Sequence, residues 1–194
     1  WKKARTHLKI AFLNEEEWGV ASFLDFLMRI LETLEKSDAT LRSRIDAVYS
    51  LHERDPARAL EAAEALLVEY VGDGTLLLIC ENLKDLFDGL GAEGQQRWRA
   101  FIQEHPFWTI LATAPMLFSG VQLQSSAFYG FFTIRKLDRL DFEGALDLLK
   151  RKAEHEGDPE LTAKLDTPVG RARARAIHHL AGGSHRVYVI MSDF

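Results

Sequence analysis

Glu81 and Thr113 stand where an α/β sheet would present a carboxylate and a hydroxyl to a ligand. Glu81, with Asn82 beside it, follows the apolar run Thr75–Cys80, and Thr113 ends the apolar run Trp108–Thr113. Open α/β sheets bind their ligands outside the carboxyl ends of the strands. A carboxylate there can hold a hydrated Mg²⁺, which proteins bind through one or two carboxylates together with phosphates. The more common alternative is that such polar residues only end a strand and begin the next helix.

A third candidate lies near the end of the sequence, in the run GGSHR at residues 182–186. Two glycines are typical of a helix end, and Ser184 is suited to begin another helix. Arg186 would then lie in the first turn, where its forked guanidinium suits phosphate oxygens.

Thr113 could orient a water or a terminal phosphate if its strand neighbours the strand before Glu81. Taken singly, Thr113 is more commonly a β-branched residue at a strand end, and Arg186 an exposed charge between helices.

The hydrophobic pattern predicts the elements that position these residues. Short, continuously apolar runs bounded by turn residues are typical of strands buried in a parallel sheet. Such runs are found at His7–Leu13, Thr75–Cys80, Trp108–Thr113 and Phe128–Ile134. Helical spacing and capping residues predict helices between them, at Val20–Leu34, Leu41–Leu51, Ala57–Glu69, Leu83–Leu90 and Glu93–Glu104.

Only helices are predicted beyond about Leu137. One spans Phe142–Glu156 after the candidate cap Asp141, and another begins at Thr167-Pro168 and ends at the paired glycines. The chain is therefore predicted to form an α/β core over residues 1–137 and a small helical domain over residues 138–194. The predicted fold class is α/β, a three-layer sandwich with a mostly parallel sheet, followed by a helical lid.

Composition restricts the classes of function. The formal net charge is −5, which argues against a surface that binds nucleic acid throughout. The single cysteine, Cys80, cannot form an internal disulfide, and no apolar run approaches the roughly 18 residues that span a bilayer. A cytoplasmic protein that does not enter the membrane is therefore predicted. The sequence has no HExxH metal motif and no G-x-S-x-G nucleophile motif.

A basic segment near the C-terminus leaves nucleic-acid binding open. It contains Arg171, Arg173 and Arg175, followed by several histidines. A spacing of two places these arginines on different flanks of a helix rather than on one stripe. An ordinary solvated face is therefore favoured over a contact with nucleic acid or an acidic partner.

Together, these features resemble the AAA+-related ATPases, particularly prokaryotic signal-transduction ATPases of the STAND type and origin-recognition-like ATPases. The resemblance extends from about His7 to Phe194 and is strongest over LLLICENLKDLFDGLGAEGQQRWRAFIQEHPFWTILATAP. It implies a P-loop NTPase-like fold that uses ATP and Mg²⁺. Glu81 would be the Walker B acid that helps to hold Mg²⁺, and Asn82 the neighbour that polarises the attacking water. Thr113 would be the first sensor, and Arg186 the second, carried on the lid.

The sequence departs from this family in three places. The family's P-loop, GxxxxGK[ST], holds the phosphates, and the sequence has no Gly-Lys dipeptide. The resemblance places the P-loop and the first strand upstream of Trp1, so this chain alone is expected to bind ATP weakly and to be inactive. Glu81-Asn82 replaces the common Asp-Glu pair, and an asparagine cannot act as a general base. No arginine occupies the place before Phe128 where oligomeric ATPases carry a finger arginine.

A shifted alignment would put Cys80 in the metal position and Glu81 in the catalytic one. This shifted alignment fits less well, because the helix predicted from Leu83 fits better when Glu81 occupies the metal position.

The leading expectation is part of an ATP-dependent switch or regulatory ATPase that works with protein partners or fused effector domains. The alternatives are a non-catalytic, ATPase-like scaffold for protein association and a DNA-handling ATPase of the origin-recognition type.

Overall fold

The computed structural model describes residues 7–14 and 19–191, with the backbone alone for residues 185, 186 and 189. The protein divides into two compact units, Trp1–Thr133 and Ile134–Phe194. The sequence placed this division after Leu137, four positions later than Thr133. No helix in the described ranges is both long enough and apolar enough to cross a membrane.

The first unit contains a parallel sheet of three strands, in the order β1-β2-β3. Their bounds are Leu8–Leu13 for β1, Thr75–Cys80 for β2 and Trp108–Ala112 for β3. The register pairs Phe12 with Ile79 and Ile79 with Leu111. A mixed α/β fold with a parallel sheet is thereby confirmed, and the three runs that form it were all predicted as strands.

Helices connect the strands and begin where the sequence offers capping residues. Asp55 accepts a hydrogen bond from the Arg58 N–H at 3.2 Å, and Pro56 follows as the first helical residue. A proline costs little there because the first amides of a helix have no partner within the helix. The helices of this unit are α1 Phe23–Glu35, a 3₁₀ turn Ala39–Leu41, α2 Arg42–His52, α3 Pro56–Val71, α4 Leu83–Glu104 and α5 Ser119–Gln122.

Helix α4 is interrupted at Gly91, as the two separate helical segments in the sequence predict. Gly91 has φ 63° and ψ −177°, a conformation open essentially to glycine alone. The side chain of Gln95 donates a hydrogen bond to the Phe87 carbonyl at 2.9 Å, across the interruption. The kink therefore lies in the connection between β2 and β3.

The helices of both crossovers pack on one face of the sheet. Helix α1 contacts both α3 and α4. Phe26 of α1 lies 4.5 Å from Trp98 of α4 between ring centroids, and Trp98 lies 6.2 Å from Trp108 of β3. Trp98 and Phe26 are fully buried, so this aromatic cluster forms the centre of the core.

The opposite face, here called the outer sheet face, is apolar but half exposed. Leu8 is 43% exposed, Ile10 49% and Leu111 61%. Side chains alternate between the two faces of a strand, so the register assigns the members of this face. They are Leu8, Ile10, Phe12, Thr75, Leu77, Ile79, Thr109 and Leu111.

The segment Phe128–Ile134 does not form the strand that its apolar character predicted. It forms turns, with Gly130 at φ 65°. Phe128 is fully buried, and its ring lies 5.2 Å from Phe131 and 5.9 Å from Phe132 between centroids. Two consecutive residues that both pack on the same ring do not alternate as strand residues would. These aromatic side chains are buried by turns rather than by pairing in the sheet.

The second unit is helical, as predicted. Asp141 and Thr167 cap α6 and α8 as the sequence indicated, accepting from Gly144 N–H at 2.8 Å and Gly170 N–H at 3.0 Å. The helix α7 was not predicted. The described helices are α6 Phe142–Glu156, α7 Pro159–Leu165, α8 Pro168–Ala181 and α9 His185–Met191.

Candidate functional site

The carboxyl edge of the sheet brings Glu81, Asn82 and Thr113 together. The Glu81 N–H donates to the Leu13 carbonyl at 3.0 Å, and the Thr113 N–H donates to the Cys80 carbonyl at 2.9 Å. These bonds continue the two strand ladders beyond the strand ends. The turn after β2 is therefore held on both sides, by the ends of β1 and β3.

Thr113 contacts the next residues of that turn through both its backbone and its side chain. Its carbonyl accepts from the Leu83 N–H at 2.7 Å, and its Oγ1 accepts from the Asn82 N–H at 3.2 Å. The structure thus places Thr113 against the start of α4, next to Glu81-Asn82. β2 and β3 are neighbours in the sheet, which is the condition for the Thr113 hydroxyl to lie near the turn after β2.

Asn82 has a left-handed backbone conformation, and its side-chain amide is hydrogen-bonded to Asp85. It is buried and has φ 49°, in the left-handed region, the one described non-glycine residue with positive φ. Its Nδ2 donates to Asp85 Oδ2 at 2.6 Å, and the Asp85 N–H donates to the Asn82 carbonyl at 3.1 Å. Asparagine tolerates this backbone better than most residues, which suits it to the first position before α4. In this arrangement its amide group positions the first turn of α4.

The surroundings of Glu81 are acidic, with one lysine among them. Glu81 is exposed, and Asp85 and Asp88 follow on the first turns of α4. Lys84 Nζ lies 2.5 Å from Asp88 Oδ2 and 3.8 Å from Asp85 Oδ1. The hydrogen bond to Asp88 raises the pKa of Lys84, so its ammonium stays charged. Sequence reasoning missed Asp85, although its spacing of three from Asn82 is a helix-start signal.

The residues at this edge fit Mg²⁺ only together with phosphates. Within residues 7–14 and 19–191, no group of three or more histidine, cysteine or acidic side chains could hold a metal ion. Glu81 supplies one carboxylate, which suffices for Mg²⁺ when phosphates complete the coordination. A Gly-rich loop with its lysine would hold those phosphates, and the sequence has no Gly-Lys dipeptide. The edge therefore offers an acid and a hydroxyl but no phosphate cradle.

Cys80 is unsuited to the metal position that a shifted alignment would give it. The side chain is 1% exposed, and burial raises the pKa of the thiol to about 12. A metal ligand or nucleophile must be a thiolate, so this thiol is inert at neutral pH. At this edge of the sheet, Glu81 is exposed to solvent and Cys80 is buried.

Arg186 belongs to the second unit and lies in the first turn of α9, as the sequence indicated. Its side chain is outside the described residues. The Tyr188 N–H donates to the Ser184 carbonyl at 3.1 Å, which places Ser184 at the start of that helix. The structure therefore brings together three of the four predicted site residues, all in the first unit.

The basic segment of the second unit makes contacts within its own unit. Arg171 Nη2 lies 2.5 Å from Glu143 Oε1. The guanidinium groups of Arg171 and Arg175 lie 5.4 Å and 4.6 Å from the centroid of the Phe142 ring. These contacts join α8 to α6 and engage two of the three arginines that could have formed a basic surface.

A cavity of about 90 Å³ lies between α1 and α2, lined in part by Met28, Val48 and Tyr49. It is far smaller than the ~300 Å³ at which small-molecule pockets begin. The carboxyl edge of the sheet is therefore the better candidate site.

Comparison of the chain with protein-family models, with curated proteins and with solved structures finds no match.

Proposed function

We propose that this chain is part of an ATP-dependent switch, with its nucleotide at the carboxyl edge of the sheet. The supporting observation is the contact between Thr113 and the turn Glu81-Asn82, which gathers an acid, an amide and a hydroxyl. In this proposal Glu81 helps to hold Mg²⁺ and Thr113 is the first sensor. Arg186, on the helical lid, is the second sensor.

The proposed switch works through the Thr113 hydroxyl. Its oxygen accepts from the Asn82 N–H, and its proton can still be donated to a phosphate oxygen or a water. A shift of Thr113 toward a phosphate would pull on the residue that begins α4. The contact between Asn82 and Asp85 would carry that shift into the first turn of the helix. Loss of the terminal phosphate would reverse this shift, as in switches in which a phosphate orders a segment that is released on hydrolysis.

The proposal requires a phosphate cradle from elsewhere in the natural polypeptide. When bound there, Mg²⁺ neutralises phosphate charge and polarises the phosphate for attack. Glu81 would orient the ion, and Asn82 would hold the turn that orients Glu81. Without a cradle, residues 1–194 should bind Mg·ATP weakly or not at all.

Calorimetric titration with Mg·ATP tests this proposal. We expect no measurable heat for residues 1–194 and clear binding for the natural full-length polypeptide. Glu81→Gln in that polypeptide should weaken binding about tenfold in the presence of Mg²⁺, the effect of losing one charged contact. The matched control is Glu93→Gln, at an exposed position on α4 beyond the kink. Full-length polypeptide that binds no Mg·ATP would contradict the proposal.

A non-catalytic scaffold for protein association is the second candidate. It is favoured by the commitment of the Asn82 amide to Asp85, which uses that group for structure rather than for water. It is also favoured by the apolar, half-exposed outer sheet face. In that case Arg186→Ala should leave partner binding unchanged, whereas in an ATP switch it should weaken the response of the lid to nucleotide. The DNA-handling alternative has less support, because Arg171 and Arg175 already contact Glu143 or Phe142.

A further inference from the structure

The cavity between α1 and α2 has an apolar floor. Leu24 and Met28 of α1 and Val48 of α2 line it, and each of these side chains is exposed by 6% or less. The volume of about 90 Å³ is enough for several water molecules but far below that of a nucleotide pocket. The cavity therefore suits a narrow aliphatic chain rather than a larger ligand.

Arg29 and Tyr49 line the same cavity and are both bound to Glu32. Arg29 Nη1 lies 3.0 Å from Glu32 Oε2, and the Tyr49 hydroxyl donates to the other oxygen of that carboxylate. The charge of the Arg29 guanidinium is thus offset beside the cavity. The hydroxyl oxygen of Tyr49 can still accept a hydrogen bond, because only its proton is used by Glu32.

Asp25 lines the cavity with a carboxylate that no described lysine or arginine side chain offsets. Its Oδ2 accepts from the Ser22 hydroxyl at 2.8 Å and from the Ala21 N–H at 3.1 Å, and both donors are neutral. The Asp25 N–H donates in return to the Ser22 hydroxyl oxygen at 3.1 Å, which fixes the side chain at the start of α1. Its Oδ1 accepts no hydrogen bond from the described residues.

The Tyr49 hydroxyl reports the sign of the electrostatic field at the cavity wall. Burial, the hydrogen bond to Glu32 and the negative charge of Glu32 raise the pKa of Tyr49 to about 12. Arg29 opposes this rise less strongly than the Glu32 charge produces it, and Asp25 adds to the rise. The net field is therefore negative, which favours a cation in the cavity over an anion.

We propose that this cavity binds a primary ammonium group carried on a short, unbranched aliphatic chain. The chain would lie on the apolar floor, and the ammonium would donate to the Asp25 carboxylate and to the Tyr49 hydroxyl oxygen. An ammonium has three donors and no acceptor, so it matches two acceptors and an opening to water. The inference is independent of ATP binding, because every group that it uses lies within residues 24–49.

The methionine methyl groups can localise binding in residues 1–194. The chain has three methionines: Met28 on the cavity floor, Met116, which is 70% exposed in the first unit, and Met191 at the end of α9. With ¹³C-methyl-labelled methionine, n-butylammonium should shift the Met28 signal saturably, with a Kd of about 1 mM for so small a ligand. The signals of Met116 and Met191 should not move, and replacing each of these two by leucine assigns them.

Ligands of equal size separate charge from apolar contact. Butan-1-ol and propionate have as many non-hydrogen atoms as n-butylammonium but carry no charge or the opposite charge. Each should bind at least about tenfold more weakly, because neither gains the charged hydrogen bond to Asp25.

Free amines and the lysine side chains of proteins both carry the proposed group. Nα-acetyl-lysine methylamide represents a lysine within a polypeptide, and n-butylammonium represents a free amine. Tighter binding of the capped lysine would identify a protein side chain as the ligand. Tighter binding of n-butylammonium would identify a free amine.

Substitutions test the role of each wall. Asp25→Asn keeps the shape of the side chain and an acceptor for Ser22, so it should fold normally and bind n-butylammonium about tenfold more weakly. The matched control is Asp46→Asn, at an exposed position of α2 that does not line the cavity, which should leave binding unchanged. Val48→Ile should also weaken binding, because the added methyl group takes up part of the cavity. Circular dichroism and thermal unfolding confirm that each variant folds.

The proposal would be overturned if n-butylammonium produced no saturable shift of the Met28 signal. Equal binding of butan-1-ol would show that the apolar floor alone holds the ligand, and tighter binding of propionate would show that Arg29 selects an anion. Unchanged affinity for n-butylammonium in folded Asp25→Asn would show that the ammonium does not bind to that carboxylate.

Discussion

Thr113 is the residue through which two strands and a helix meet. Its backbone continues the ladder between β2 and β3, and its Oγ1 and carbonyl accept from the two residues that start α4. A β-branched hydroxyl residue suits this place, because it fits a strand end and also supplies an acceptor. The residue that is proposed to sense a phosphate therefore also connects the end of β2 to the start of α4 through hydrogen bonds.

Replacing Thr113 by valine should separate the hydroxyl from the shape of the side chain. We expect Thr113→Val to lower the free energy of unfolding by about 1 kcal/mol, the usual net contribution of one hydrogen bond. Urea denaturation followed by tryptophan fluorescence measures this change. The matched control is Thr109→Val, on the exposed face of β3, the strand that Thr113 follows, which should change stability by less than about 0.5 kcal/mol. An equal loss in both variants would mean that the bond to Asn82 does not stabilise the fold.

At the scale of elements, the interruption of α4 is set by the backbone of one glycine. Gly91 has φ 63° and ψ −177°, and a Cβ built there would meet no atom within 4 Å. The requirement for glycine is therefore conformational rather than steric. Gly157, after α6, also has open space around it, but its φ 71° and ψ 33° lie in the ordinary left-handed region.

The two glycines make a matched pair for substitution. Gly91→Ala should destabilise the protein by about 3 kcal/mol, because its conformation is essentially closed to other residues. Gly157→Ala should cost about 1 kcal/mol, the lower penalty of the left-handed helical region. Urea denaturation followed by circular dichroism measures both. Gly91→Ala without measurable loss would indicate that α4 can straighten through that position.

The sequence indicates most elements but not the contacts that join them. The continuous apolar run of β2 and the Asp-Pro start of α3 are local signals, and both predictions are confirmed. The same Asp-Pro signal precedes α7 at Asp158-Pro159, so that helix could have been found. The strand predicted at Phe128–Ile134 was wrong, because aromatic side chains can be buried by turns as well as by sheets. The bonds from Asn82 to Thr113 and Asp85 could not be predicted, since they depend on strand register and on a left-handed backbone.

At the scale of the whole molecule, each unit has its own buried core. The second unit buries two small clusters, one of which contains Leu149, and its Tyr188 hydroxyl contacts the His178 ring. All the tryptophans of the chain lie in the first 133 residues. Fluorescence therefore reports on the first unit, whereas circular dichroism reports on the helices of both.

Leu149→Ala tests whether the two cores respond separately. The side chain is 7% exposed, so its truncation should cost the second unit about 3 kcal/mol. During unfolding by urea, part of the circular dichroism signal should then be lost at a lower urea concentration than that at which the tryptophan fluorescence changes. Leu27→Ala, at a fully buried position of the first core, is the control that should shift the fluorescence transition itself. A common shift of both signals in Leu149→Ala would show that the chain unfolds as one unit.

The two crossovers of the sheet also differ greatly in length, and this difference affects how the sheet assembles. A single kinked helix joins β2 to β3, whereas α1, α2 and α3 all lie between β1 and β2. Closing a longer loop costs more chain entropy and slows folding. We therefore expect the unit of β2, α4 and β3 to form the folding nucleus. Of the three strands, β1 leaves the ribosome first, but it would be the last to find its place in the sheet.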